Sequence, residues 1–152
     1  DMAGTVIVIG MARGVLVMME SGGIMDTVIY ALSIPFTQLN SIFTAWGMYI
    51  VMAIINFVIP SSTGAATAVM PIFSSLADLT GITRQTAVLA FQCGDGFWNM
   101  ITPAHATTMA CIGIGGISFG KWFKFALPLV FKLSGWVFLV LAYAVISGYG
   151  PF

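Results

Sequence analysis

Residues 55–71 read INFVIPSSTGAATAVMP. An apolar run stops at Pro60-Ser61-Ser62-Thr63-Gly64, and apolar sequence resumes straight after it. Residues 56–67 carry no charge, which is unusual for a loop that meets water between two spanning helices. In lipid, the backbone groups freed by such a break are costly unless they line a polar cavity or pack inside protein. The residues present suit that task. Glycine permits close backbone approach, and hydroxyls with free carbonyls offer hard oxygen ligands.

The rest of the chain supports a bilayer setting. Of 152 residues, 59% are hydrophobic and 7% charged, and the mean hydropathy is +1.03. A soluble domain carries about 25% charged residues, so this composition cannot cover a water-facing surface and implies an integral membrane protein. Net charge is zero, which argues against a nucleic-acid footprint. Cys93 and Cys111 lack CxxC spacing and His105 is the sole histidine, so zinc and iron–sulfur sites are not expected. Apolar sequence follows Asp1 without a basic leader, so no signal peptide is read and the chain is expected to be a piece of a longer protein.

The chain divides into an all-α series. Residues 3–19 read as a spanning helix interrupted by Arg13, and residues 23–34 as an amphipathic helix lying in the membrane surface, ended by Pro35. Residues 41–58 form a membrane helix, with Trp46 and Tyr49 as interface anchors. Thr80-Gly81 reads as a turn and Thr83 as the N-cap of the next helix, which is too short to cross about 30 Å of hydrocarbon. A second break is read at CGDGFWNMITP, residues 93–103, where Gly94, Gly96 and Pro103 oppose a continuous helix. Asp95 and Asn99 supply oxygens there. Residues 121–148 hold the last spanning helix.

Three of the five basic residues, Lys121, Lys124 and Lys132, cluster before or within that helix, which places this end on the cytoplasmic side and the C-terminus outside. The turn at 79–83 is then external. Residues 41–79 either cross twice or form a re-entrant hairpin with its tip at 60–64. Short, Gly/Pro-interrupted membrane segments are pointers to a transporter's binding site.

The succession NFVIPSSTG…MPIFSSLADLTGITRQTAVLAFQCGDGFWNMITP…GKWFKF resembles the C-terminal half of the YfcC-type carriers, grouped with the C4-dicarboxylate anaerobic carriers in the ion transporter superfamily. The resemblance covers nearly the whole chain. It implies one inverted-repeat half, with a re-entrant hairpin at 41–79 and a broken helix at 83–116. It also implies a secondary active transporter for small carboxylate-bearing metabolites, either C4-dicarboxylates or amino acids such as arginine and ornithine. In that superfamily a Ser-Asn-Thr tip and the facing break hold sodium and a substrate carboxylate. By position, Ser61, Ser62, Thr63 and Gly64 match the tip, and Gly94, Asp95 and Asn99 the facing break. Ser62 stands where the family has Asn, and Asp95 is compatible with sodium, with proton coupling or with an amine-bearing substrate.

Two further residues are substrate-contact candidates: Arg13, which could instead pair with a carboxylate such as Glu20, and His105, which could instead be a hydrogen-bonded interior histidine. The expected partners are the lipid bilayer of a bacterial inner membrane, the N-terminal half of the same carrier, a small-molecule substrate and, at full length, a second copy in a homodimer. Two other classes compete. A membrane scaffold would not need two facing polar breaks, and an intramembrane hydrolase using Ser61 or Ser62 with His105 lacks a GxSxG elbow. No enzyme is expected.

Overall fold

The computed structural model describes residues 18, 21–23, 27 and 40–150; apart from residues 18, 23 and 27, the expected helices at 3–19 and 23–34, and Arg13 with them, lie outside that set. Five helices follow Asn40: α1 Ser41–Val58, α2 Ser62–Thr80, α3 Arg84–Trp98, α4 Ala106–Ile114 and α5 Phe119–Ser147.

Helix α1 stops where Pro60 restricts the residue before it, and Ile59 takes φ −117° and ψ 84°. Ser61 then caps α2, its hydroxyl accepting from the Gly64 N–H. The break therefore spans only Ile59 to Ser61. Ser62, Thr63 and Gly64, read from sequence as part of the tip loop, form the first turn of α2, where hydroxyl residues fit the unpaired N–H groups. At the other end Gly81 turns left-handed at φ 70°, and the Ile82 N–H bonds back to the Ala77 carbonyl. The Ser41 hydroxyl donates to the Thr80 carbonyl at 2.8 Å, so the start of α1 meets the end of α2. The two helices form an antiparallel hairpin.

Thr83 caps α3 as expected, accepting from the Thr86 N–H at 3.2 Å while its hydroxyl donates to the Tyr149 carbonyl at 2.6 Å. That second bond fastens the far end of α5 to the start of α3. The core lies between α1 and α3, with α2 and α5 packed on either side. Met48, Met52, Ile55, Val69, Phe73, Leu76, Ala87, Ala90 and Leu141 fill it. Gly94 allows a close approach of α1 and α3. A Cβ built there would lie 2.7 Å from Met52 Cβ and 3.0 Å from the Tyr49 carbonyl oxygen.

Tyr49 is not an interface anchor. It is 1% exposed, and its hydroxyl shares a hydrogen with Ser134 at 2.6 Å and accepts from Trp98 Nε1 at 3.0 Å. A phenol this deep needs partners, and α3 and α5 supply them. Trp46 likewise donates inward, to the Phe138 carbonyl.

Helices α1 and α5 are long and apolar enough to cross a membrane. Phe43, Ile50, Ile54 and Phe57 on α1, and Phe125, Leu129, Trp136, Val140 and Tyr143 on α5, are exposed at helical spacing. Lipid is the solvent such faces require. The chain is an all-α membrane protein.

Candidate functional site

The second break begins later than the glycines imply. Helix α3 runs unbroken through Gly94-Asp95-Gly96 to Trp98, and the interruption covers Asn99 to His105 before α4 starts. Glycine weakens a helix by only about 1 kcal/mol per residue, and here Gly94 permits the α1–α3 contact, which favours the continuous form. Gly94 and Gly64 thus occupy helical turns, and Gly94 serves packing.

Asp95 sits at the centre of the site, 2% exposed on the side of α3 that meets the hairpin. The Ser62 hydroxyl donates to Asp95 Oδ2 at 2.5 Å. This contact joins the first turn of α2 to α3 and sets the carboxylate beside the positive end of the α2 dipole. The Asp95 carbonyl also accepts twice, from Asn56 Nδ2 at 3.0 Å and from the Asn99 N–H at 3.1 Å. That carbonyl can only accept, so the Asn56 amide must turn its nitrogen toward it.

Three buried side-chain oxygens, Asn56 Oδ1, Asp95 Oδ1 and Asn99 Oδ1, have no hydrogen-bond partner among the described residues. Buried acceptors without donors are costly. One of the three belongs to the Asp95 carboxylate and the other two to residues that bond the Asp95 carbonyl, and such a group of acceptors is complementary to a cation or to a donor-rich group. Asn56 was not among the sequence candidates, although it is the only amide in the apolar run 41–58.

The other candidates are placed differently. Ser61 spends its hydroxyl on its own helix, and Thr63 is exposed on α2. His105 caps α4; its Nδ1 lies 2.8 Å from Thr108 Oγ1, whose hydroxyl donates to the Asn99 carbonyl at 3.0 Å. The histidine therefore reaches the site through Thr108 and Asn99. Its ring bonds neither Ser61 nor Ser62, so the serine–histidine pair of a hydrolase is not formed. At the far end of α2, outside the spanning segments, Arg84 binds Asp78 through two hydrogen bonds, of 3.0 and 2.8 Å. That bond, aided by the guanidinium charge, holds the Asp78 carboxyl below its usual range.

A hairpin and an interrupted helix thus meet at a buried carboxylate within an all-α membrane protein. The chain belongs to the C4-dicarboxylate anaerobic carrier family, whose model matches residues 1–148. It is 32% identical over 148 residues to the Escherichia coli K12 protein named "Putative basic amino acid antiporter YfcC", covering 94% of this chain and 29% of that one. A Haemophilus influenzae protein without a functional name is 31% identical over 150 residues, covering 97% of this chain and 29% of the relative. The chain thus spans less than a third of the length of these relatives. No solved structure gives a significant match.

Proposed function

We propose that this chain forms one half of the substrate-handling core of a secondary active transporter. In this reading α1 and α2 are a re-entrant hairpin entering from outside, α3 and α4 the broken helix, and α5 the last spanning helix. The C-terminus is external and the membrane is the bacterial inner membrane, a reading supported by the exposed Lys121 and Lys124 in the first turns of α5, with the exposed Lys132 further along it. The working unit includes a second, N-terminal half, because inverted-repeat carriers build their sites between halves. At full length the carrier is a homodimer.

The substrate is a small carboxylate-bearing metabolite, a C4-dicarboxylate or an amino acid such as arginine or ornithine. The name borne by the Escherichia coli relative favours the amino acids. Its carboxylate is received at the N-terminal turn of α2, near Ser61 to Thr63, where free N–H groups and the helix dipole attract anions. The coupling cation, sodium or a proton, is held by Asp95 with Asn56 and Asn99. The observation that supports this assignment is a buried carboxylate oxygen of Asp95 and the amide oxygens of Asn56 and Asn99, all three without a hydrogen-bond partner among the described residues. Sodium fits such oxygens without any donor, and a proton needs only Asp95 itself.

Uptake by the full-length carrier in proteoliposomes tests the assignment. Under sodium coupling, Asp95→Asn weakens the apparent sodium affinity of transport. Under proton coupling, the same change abolishes dependence on the pH gradient while leaving exchange. If Ser62→Ala, Asn56→Ala and Asp95→Asn all leave transport and its cation dependence unchanged, the site lies elsewhere. A counterflow screen then names the solute, and movement of uncharged solutes alone would remove the carboxylate reading.

A further inference from the structure

Helix α2 differs from α1 and α5 in what it shows to the outside. Among the described residues, α1 and α5 expose large apolar side chains along their length, whereas the only large apolar residue strongly exposed on α2 is Leu79, near its end. Thr63, Thr67, Pro71, Ser74, Ser75 and Asp78 fall within about a third of the helix circumference at about 100° per residue. Of these only Ser74 is half-buried; the others are exposed. The opposite side carries the buried Ala65, Val69, Phe73, Leu76 and Ala77.

The backbone on this face is also unusual. Pro71 lies inside the helix and has no N–H, so the Thr67 carbonyl lacks its helical donor. The Ser74 and Ser75 hydroxyls turn back onto the carbonyls of Met70 and Pro71, at 2.8 and 2.9 Å. Thr67 likewise donates to the Thr63 carbonyl, so these hydroxyl hydrogens are met. The Thr67 carbonyl without its helical donor, the oxygens' spare acceptor capacity and the Asp78 carboxyl nonetheless favour a polar medium over hydrocarbon. Water meets their needs.

The face also leads somewhere. Its outer end is the exposed Asp78–Arg84 pair, and its inner end is the first turn of α2, where Ser62 binds Asp95 beside the unpartnered oxygens of Asn56 and Asn99. From Thr63 to Asp78 is about 22 Å at about 1.5 Å per residue. We infer that this polar face of α2 is the hydrated wall of the access route by which the cation and the solute reach the Asp95 site from the outer side. The inference rests on reading Asp95 as the transport site.

The test is thiol labelling of the full-length carrier, with its other cysteines replaced, by a membrane-impermeant cationic methanethiosulfonate added from outside. Thr63→Cys, Thr67→Cys and Ser74→Cys are expected to react at least tenfold faster than Ile54→Cys and Leu139→Cys, which face lipid. If Asp78→Cys reacts but Thr67→Cys and Ser74→Cys do not, the face is covered by packed protein and the route is refuted. As a second measure, Thr67→Trp and Ser74→Trp, on an exposed face, should cut uptake more than tenfold at unchanged protein level in the membrane. Uptake close to wild type in both would also overturn the inference. Labelling does not depend on transport, so it can fail while the cation dependence assigned to Asp95 stands, and the reverse.

Discussion

Replacing Gly94 by alanine should loosen the contact on which both the core and the site depend. The new Cβ would sit 2.7 Å from Met52 Cβ and 3.0 Å from the Tyr49 carbonyl oxygen. Carbon atoms settle about 3.5–4.0 Å apart, so α1 must retreat by roughly 1 Å. Neither neighbour is the free end of a flexible side chain, and the strain cannot be shed locally. Overpacking of this kind costs about 1–3 kcal/mol. Asn56 lies one turn beyond Met52, so its 3.0 Å bond to the Asp95 carbonyl stretches as α1 retreats. Loss of a buried hydrogen bond adds about 1–3 kcal/mol, and the better helix propensity of alanine returns about 1 kcal/mol. A net loss near 3 kcal/mol follows as an order of magnitude. Gly96 is the internal control, because a Cβ there meets nothing within 4 Å. Thermal unfolding of the detergent-solubilised full-length carrier should place Gly94→Ala clearly below wild type and Gly96→Ala at or above it. Equal stability of the two variants would refute the close-approach argument.

Other substitutions separate the roles of neighbouring groups. Ser62→Ala removes the donor to Asp95, a charge-assisted bond worth about 1.5–3 kcal/mol, and should shift the cation dependence of uptake more than it shifts the melting temperature. Tyr49→Phe deprives Ser134 and Trp98 of their shared partner. It should lower the melting temperature while leaving the apparent cation affinity unchanged, since the phenol does not touch Asp95. Arg84→Ala should return the Asp78 carboxyl toward its ordinary value, read by carboxylate NMR titration. The sign follows from the direction of the shift. A depressed carboxyl adds stability above its unfolded value, and that stability is lost as pH falls through the depressed one. The pair is exposed and its contribution screened, so melting at pH 7 should barely change.

Sequence reading found the features signalled by neighbouring residues. Pro60 before Ser61 marked the hairpin break, Gly81 the turn, and Thr83 the α3 cap, because each acts on backbone within a few positions. It misplaced the second break because glycine propensity is weak and the α1 surface facing Gly94 comes from residues some forty positions earlier. Tyr49 looked like an interface anchor for the same reason: Trp98 and Ser134, which bind its hydroxyl, are remote in sequence. At the site, Ser62 and Asp95 were legible as polar residues at breaks. Asn56 was not, since a single amide at the end of an apolar run says nothing about a carbonyl 39 residues away.

Asp95 is the one carboxylate among the buried described residues, and that has an electrical consequence. If the site moves through the membrane field, an empty, ionised Asp95 carries one negative charge, whereas binding of a single monovalent cation makes it neutral. Moving one charge through the full potential is worth about 2.3 kcal/mol per 100 mV. The loaded crossing then carries the solute's own charge, +1 for arginine or ornithine and −2 for a dicarboxylate, while the return of the empty site carries the charge of Asp95, so voltage bears on both. Currents recorded under exchange of one solute for itself, in which the loaded crossings cancel and the site never returns empty, should accordingly be small, while those of net uptake should vary with membrane potential.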